Sequence, residues 1–535
     1  MYDLVMIDFD PTLIHDWLVR SASRTPNKEA IVCGQDRLTY RELDVRSDRF
    51  AEALLDLRLC RQDRVAILTG NCPETVVSLY GVLKTGGVFV IIESNIKARR
   101  LRYIIENSGA KILIARSNQA SIIDQVLEGL DGHFRVVWVG TGKDTATSSR
   151  VSDVRWDSIF SELPDTNGQK YAMEKDNRPR CIDIDLAALI YTSGTTGTPK
   201  GVMCTHQNMI SAARSIIRYI GNRQDDIVLN VLPLSFGYGL YQILTSIMFG
   251  GTVILERSFF FPQATLSRIA EEKVTGFPLV PSMAAIMLNM ENINKYDFSI
   301  LRYITSAGDA LPVGHLTRLR RLAASAKIFN MYGLTECVRV CYLEGKKLDQ
   351  RPSSVGKAIS NCEVRIVDNN GNEVRPGEIG ELTIRGSNVM QGYWNDPQTS
   401  ADVYRPGDYP DSRWLYSGDN FRKDNEGYLY FVGRKNDMIK TAGERVSPKE
   451  VEDVVCELQH VAEAAVVGVP DEILGQVIKV FIVRTTDKLR EEDVLKYCVS
   501  NLEPLLVPKY VEFVSDLHRN SHGKINRKKL QESQR

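Results

Sequence analysis

Leu186-Ala187-Ala188-Leu189-Ile190-Tyr191-Thr192-Ser193-Gly194-Thr195-Thr196-Gly197-Thr198-Pro199-Lys200-Gly201 is the stretch from which the rest of the chain is best read. Its first six residues form a continuous apolar run, the pattern of a buried strand. The remainder, Thr192 to Gly201, is rich in hydroxyls and glycine and carries one cation. Glycines let a backbone curl round an anion, hydroxyl and amide groups donate to its oxygens, and Lys200 supplies positive charge. The Gly-x4-Gly-Lys-Ser/Thr spacing of a Walker A loop is absent. By composition alone such a segment is a surface turn. Its residue types equally suit a phosphate cradle fed by a strand, and its order is more specific than its composition.

Outward from this stretch, apolar strand-like runs alternate with segments of helical spacing. Arg64–Leu68 reads as strand, Pro73–Lys84 as helix and Val88–Ile92 as strand; Ile227–Leu232, Tyr241–Met248 and Thr252–Leu255 repeat the order. That alternation predicts parallel sheets covered by helices. After about Ser360 the texture changes. Glu363–Val367, Gly380–Arg385 and Tyr428–Val432 are short, β-rich and set between turns such as Asn370-Gly371 and Pro376-Gly377, which predicts an antiparallel subdomain. The last hundred or so residues return to mixed character. There Pro448–Leu458 and Glu491–Leu502 read as helices, and Ala464–Val469 and Val477–Val483 as strands.

A chain of 535 residues is too long for one ordinary domain, and 43% apolar with 25% charged residues is globular composition. Lys and Arg together number 67, as do Asp and Glu, so no global charge favours nucleic acid or an anionic membrane as partner. The apolar stretch Val76–Ile92 is interrupted by Lys84, Gly86 and Gly87, which argues against a spanning helix. Ten cysteines show no CxxC and no Cys/His spacing for zinc, and Met1–Asp10 has three acids and no basic region. These features predict reduced thiols, most of them in the core, and a cytoplasmic protein.

Five further segments could carry chemistry. In Asn330-Met331-Tyr332-Gly333-Leu334-Thr335-Glu336, a carboxylate beside a hydroxyl suits magnesium, and the tyrosine offers a flat face to a purine. Ser306-Ala307-Gly308-Asp309 comes after the strand-like Leu301–Thr305, where exposed backbone could line a base. Tyr416-Ser417-Gly418-Asp419 places a carboxylate where ribose hydroxyls could donate to it. Gly433-Arg434-Lys435-Asn436-Asp437 opens a segment running through Lys440, Ala442 and Gly443 to Glu452. Asn520-Ser521-His522-Gly523-Lys524-Ile525-Asn526-Arg527 lies near the end. Each alone reads as an ordinary turn or a solvated charge.

Together and in this order, they resemble the successive motifs of the acyl-adenylate-forming enzymes: acyl-CoA synthetases, adenylation domains of peptide synthetases, and luciferases. The resemblance covers nearly the whole chain from Leu38-Thr39-Tyr40-Arg41-Glu42-Leu43 onward. It implies an α/β fold. A large N-terminal domain (residues 1–433) would hold two α/β subdomains and a β-rich one. A small mobile α+β domain (434–535) would pivot near Asn436, where the family usually has Asp or Lys. Carried over, Thr192, Ser193, Gly194, Thr195, Thr196, Gly197 and Lys200 would bind the phosphates of ATP, and Glu336 would hold Mg2+. Ala307, Gly308, Asp309, Asn330, Met331, Tyr332, Gly333 and Thr335 would surround the nucleotide, with Phe431 beside them. Asp419 and Arg434 would bind the ribose. Lys524 would bridge the acyl carboxylate and the α-phosphate as a point charge. The resemblance further implies two half-reactions, acyl-AMP formation and then thioester formation, with Lys440, Ala442 and Gly443 moving to a pantetheine channel.

The substrate segment departs from the pattern. Pro233-Leu234-Ser235-Phe236-Gly237-Tyr238-Gly239 corresponds to the acyl-pocket lining, and amino-acid-activating domains usually carry an aspartate where Gly237 stands. Further lining would come from Tyr241, Thr305, Ala307, Met331 and Val340, with Arg339 nearby and expected to face solvent. This reads as a small, semi-polar pocket. The Cys337-Val338-Arg339-Val340 neighbourhood and Asn436 resemble a bacterial group of acyl-CoA ligases and stand-alone prolyl-carrier-protein ligases of secondary metabolism. The leading expectation is a small carboxylic or amino acid, L-proline among them, passed to the phosphopantetheine of a carrier protein. Free coenzyme A is the alternative acceptor. A luciferase-type oxidation and a non-catalytic nucleotide binder are the other classes to separate. Lys200, Glu336, Asp419 and Lys524 argue against the binder.

Overall fold

The computed structural model describes residues 10–128, 134–140, 151–161, 179–192, 198–309, 311–435, 437–441, 444–471, 474–519 and 524–532. The chain divides into two compact units. One comprises Met1–Ser258, Thr335–Val338 and Ser387–Asp402; the other comprises Phe259–Leu334, Arg339–Gly386 and Val403–Arg535.

In the first unit, a seven-stranded sheet runs in the order Val151–Arg155, Phe134–Val139, Ala110–Arg116, Arg64–Leu68, Val88–Ile91, Leu186–Thr192, Lys200–Thr205. All neighbours are parallel except the last pair, which is antiparallel with Thr192 opposite Lys200. The two feet of the hydroxyl-rich loop are thereby held side by side. Leu68, Val90, Leu113, Val136 and Leu189 build one core against this sheet. As expected of strands covered on both faces, they are runs of apolar residues rather than alternating ones. A second ladder in this unit runs Ile227–Asn230, Thr252–Leu255, Glu29–Cys33, Asp36–Thr39.

Local signals explain the helices. Thr39 caps helix Tyr40–Asp56, its hydroxyl accepting from the Glu42 amide while the Glu42 carboxylate accepts from the Thr39 amide. Pro73 opens helix Pro73–Lys84, where its missing N–H costs nothing. Lys84, which interrupts an apolar run, is buried and forms ion pairs with Asp44 at 2.6 Å and Asp48 at 2.8 Å. Helix Gly237–Phe249 starts four residues earlier than its spacing suggests, because Gly237 and Gly239 lie inside it rather than breaking it.

In the second unit, Gly276–Leu279, Tyr303–Ser306 and Lys327–Tyr332 are parallel, and Cys341–Glu344 and Lys357–Ala358 continue antiparallel. The antiparallel subdomain is present as Cys362–Val367, Ile379–Gly386, Arg413–Lys423 and Tyr404–Pro406, with Leu429–Arg434 also paired to Arg413–Lys423. A final sheet runs Glu444–Val446, Ile439–Thr441, Gly475–Arg484, Val461–Asp471, with Tyr510–Phe513 parallel to Gly475–Arg484. Its central strand is buried on both faces. Val466 and Val480 pack with Val451 and Val455 of helix Pro448–Val455 and with Val494 and Cys498 of helix Glu491–Asn501. Ala465, Val467 and Phe481 pack with Leu517 and Leu530 on the other side. The expected α/β class, with a large N-terminal part and a smaller C-terminal one, is the class observed.

All ten cysteines are free thiols, six of them buried. Among the described residues no helix is long and apolar enough to cross a membrane.

Candidate functional site

Two clusters gather the described site residues, one in each unit. In the first unit, Lys200 stands at the start of its strand, opposite Thr192. The segment at 390–394 runs beside this strand: the Met203 amide donates to the Gly392 carbonyl (2.9 Å), Gln391 to Met203 (3.0 Å) and Trp394 to Gly201 (2.7 Å). Its Met390 amide also donates to the Glu336 carbonyl at 2.8 Å. At the crossing lies Tyr393, whose hydroxyl donates to Glu336 Oε1 at 2.6 Å and whose ring centroid is 5.3 Å from Lys200 Nζ. Burial and the adjacent Glu336 charge push the Tyr393 phenol well above its ordinary range, so it stays a donor. Val338, two residues after Glu336, sits at φ +59°, a conformation costly for a β-branched residue. Ser193, Gly194, Thr195, Thr196 and Gly197 lie outside the described residues.

The donor set at Glu336 fits the magnesium that the resemblance implies. Among the described residues no three His, Cys, Asp or Glu side chains converge to hold a metal by themselves. A lone carboxylate beside the Thr335 hydroxyl suits a hard cation that takes its remaining oxygens from phosphate and water.

In the second unit, parallel strands end at Ser306 and Tyr332, and the candidate residues lie at or just after those ends, as is general for open α/β sheets. Gly308 turns the chain at φ +99°, where a side chain would be strained. Asn330 is buried and donates to the Ser354 carbonyl at 3.1 Å. The Tyr332 hydroxyl donates to Asp419 Oδ2 at 2.5 Å, and its ring stacks on Phe431 with centroids 6.2 Å apart. Asp419 and Arg434 are direct cross-strand partners, with Arg434 Nε 3.9 Å from Asp419 Oδ1. Burial pushes the Asp419 carboxyl above its ordinary range, opposed by the charges of Arg434 and Lys524 and by the Tyr332 bond. Gly308, Asp309, Phe431, Arg434 and Lys524 line one cavity of about 110 Å³.

That cavity also holds residues for which the sequence suggested no role. Arg527 donates to both oxygens of Glu452, at 2.7 and 2.8 Å, and Glu452 also accepts from the Val466 amide at 2.8 Å. Arg519 pairs with Glu463. Lys524 thus lies between two arginines, each fixed to a glutamate. The available signal was the pair of basic residues flanking a glycine–lysine turn, which alone reads as a solvated tail.

The residues expected along the acyl pocket fall in both units. Phe236 caps helix Gly237–Phe249; Gly237, Tyr238 and Tyr241 are buried on it, and a Cβ built on Gly237 would meet nothing within 4 Å. In the other unit Thr305, Ala307, Met331 and Val340 are buried. Arg339 corrects the expectation of a solvent-facing side chain: it is only 2% exposed. Val338 to Cys341 are buried consecutively, so strand alternation does not carry Arg339 outward. Lys440 lies exposed on strand Ile439–Thr441 and does not line the cavity; Asn436, Ala442 and Gly443 are outside the described residues.

The AMP-binding enzyme family matches the chain over residues 18–394, and the AMP-binding enzyme C-terminal domain matches residues 450–524. The long-chain-fatty-acid–CoA ligase of Escherichia coli O157:H7 is 32% identical over 97% of this chain and 94% of its own. That of Bacillus subtilis strain 168 is 30% identical over the same shares. The crystal structure of the anthranilate CoA ligase AuaEII in complex with anthranoyl-AMP matches with a TM-score of 0.88 at 26% identity, covering 98% of each chain. The o-succinylbenzoate CoA synthetase of Bacillus subtilis with its acyl-adenylate intermediate matches at 0.79 and 28% identity, covering 96% of this chain and 97% of that one.

Proposed function

This chain belongs to the AMP-binding enzyme family, and we propose that it is an AMP-forming acid–CoA ligase. A carboxylate oxygen attacks the α-phosphorus of ATP, the bond to the bridging oxygen breaks, and pyrophosphate leaves. The thiol sulfur of coenzyme A then attacks the acyl carbon of acyl-AMP, AMP leaves with the bonding pair, and the thiol proton passes to solvent. The observation that carries this reading is the gathering of Asp309, Arg434 and Lys524 round one cavity, in a chain similar over almost its full length to CoA ligases.

In this reading Lys524 neutralises charge shared by the attacking carboxylate and the α-phosphate, and Asp419 with Arg434 takes the ribose. Lys200, with the loop Thr192–Gly197, holds the departing pyrophosphate. Magnesium, when bound at Glu336, would supply charge neutralisation on the phosphates. Residues 434–535 form the mobile part, pivoting near Asn436 so that the Lys440–Gly443 segment replaces Lys524 for the thiol step.

Between the two acceptors expected from sequence, the relatives favour coenzyme A over a carrier protein, and none of them speaks for proline. Gly237, with no carboxylate and open space at its Cβ, supports an acid without an α-ammonium group. Carboxylate-dependent pyrophosphate exchange across fatty, aryl and amino acids, and then thioester formation with coenzyme A or a holo-carrier protein, tests this. The expected result is exchange with fatty or aryl acids and thioester on coenzyme A. Exchange confined to proline with transfer only to the carrier would overturn it.

A further inference from the structure

We propose that Tyr393 is a positioning residue for adenylation, its hydroxyl fixing the Glu336 carboxylate while its ring seats the Lys200 ammonium. This rests on the proposed roles of Glu336 and Lys200. Those two groups are assigned to the same triphosphate, yet they come from distant parts of the sequence and each is flexible. Lysine has a four-carbon stem, and a carboxylate can rotate away from a cation.

One side chain touches both. The phenol donates at 2.6 Å to Glu336 Oε1, and an ionised carboxylate can only accept, so the bond has one direction. Lys200 Nζ lies 5.3 Å from the ring centroid, within the range of a cation–π contact. Tyr393 itself has little freedom. It is 8% exposed, its amide donates to Ser400 Oγ at 2.8 Å, and the residues on either side are bonded to the strand that begins at Lys200.

A tyrosine present only for packing would need some acceptor for its buried hydroxyl, and a backbone carbonyl would serve. Here the acceptor is the carboxylate that the sequence marks for the metal. The hydroxyl and the ring therefore have separable duties, and two substitutions separate them.

Tyr393→Phe keeps the ring and removes the donor; Tyr393→Leu removes both. The test measures pyrophosphate exchange against Mg2+ and ATP concentration, and Mn2+ binding by electron paramagnetic resonance in the presence of α,β-methylene-ATP. Thioester formation from supplied acyl-AMP and the thermal midpoint complete the set. For Tyr393→Phe, the Mg2+ concentration for half-maximal exchange and the Mn2+ dissociation constant should both rise about tenfold, with the KM for ATP changed less than about twofold. For Tyr393→Leu, the KM for ATP should rise a further roughly fivefold. Both should make thioester from acyl-AMP at the parent rate. Unchanged metal dependence in the folded phenylalanine variant, or equal loss in both half-reactions, would overturn the proposal. Glu336→Gln is the control: if it leaves metal dependence unaltered, the reading of Glu336 itself falls, independently of Tyr393.

Discussion

At the scale of single residues, Gly237 and Gly239 show how two glycines in one turn of helix carry different loads. A Cβ on Gly239 would lie 2.3 Å from the Pro233 carbonyl and 2.7 Å from that of Leu232, so Gly239→Ala must move backbone and should cost about 3 kcal/mol or more. A Cβ on Gly237 meets nothing, although the residue is buried. Gly237→Ile should therefore fold within about 1 kcal/mol of the parent and shrink the acyl space. We expect kcat/KM to fall at least about tenfold for the longest accepted acid while the shortest is spared. A chain-length series in the exchange assay checks this, and an even loss across the series would refute it. Asp419 illustrates a different economy. Its largely buried carboxylate accepts from the Tyr332 hydroxyl at 2.5 Å and lies 3.9 Å from Arg434 Nε, so its charge is shared between a neutral donor and a cation.

At the scale of elements, the segment carrying Lys524 is held at both feet. Arg519 and Ile525 form an isolated bridge, the Asn526 amide donates to the His518 carbonyl at 2.7 Å, and Arg527 and Arg519 are each clamped to a glutamate. Arg527→Gln leaves the Glu452 carboxylate, largely buried, without its cation, which should cost roughly 2–3 kcal/mol after allowance for partial exposure. Arg527→Lys should lose less, since the charge remains and a single nitrogen, Nη2, makes both contacts to Glu452. Urea midpoints with faster amide exchange confined to residues near helix Pro448–Val455 would bear this out; equal destabilisation by both variants would not. Most elements were legible beforehand, because apolar runs such as Leu186–Tyr191 and Ala464–Val469 leave little choice for a strand buried on both faces. What escaped was tertiary. Tyr393 lies in Gly392-Tyr393-Trp394-Asn395-Asp396-Pro397, a string that reads as a plain turn, and its meaning comes only from a partner strand almost two hundred residues earlier. Arg339 escaped because a lone arginine is ordinarily solvent-exposed, and only the packing that buries Val338 to Cys341 one after another encloses it.

At the scale of the whole molecule, net charge is zero at pH 7 and turns positive as carboxylates protonate in acid, and two buried histidines add to the acid sensitivity this brings. Burial lowers the pKa of His206 to about 4 against the attraction of Asp185, and burial with the Arg318 charge lowers that of His315 to about 4. Both imidazoles are therefore neutral when folded, whereas in the unfolded chain they protonate near 6.5. Between these values the unfolded state binds more protons. Their contribution to stability is then full above about pH 6.5, falls as pH drops towards 4 and levels off below it, by up to roughly 3 kcal/mol per histidine. His206→Gln should reduce the difference in urea midpoint between pH 7 and pH 4.5, and an unaltered difference would show that the charge is tolerated. In the proposed function the two half-reactions use different residues of one chain. The most direct measurement compares both halves in Lys524→Ala: carboxylate-dependent pyrophosphate exchange, and thioester formation from coenzyme A and supplied acyl-AMP. The expected result is exchange reduced by at least about a hundredfold with thioester formation near the parent rate. Equal loss of both, or exchange left intact, would contradict the assignment.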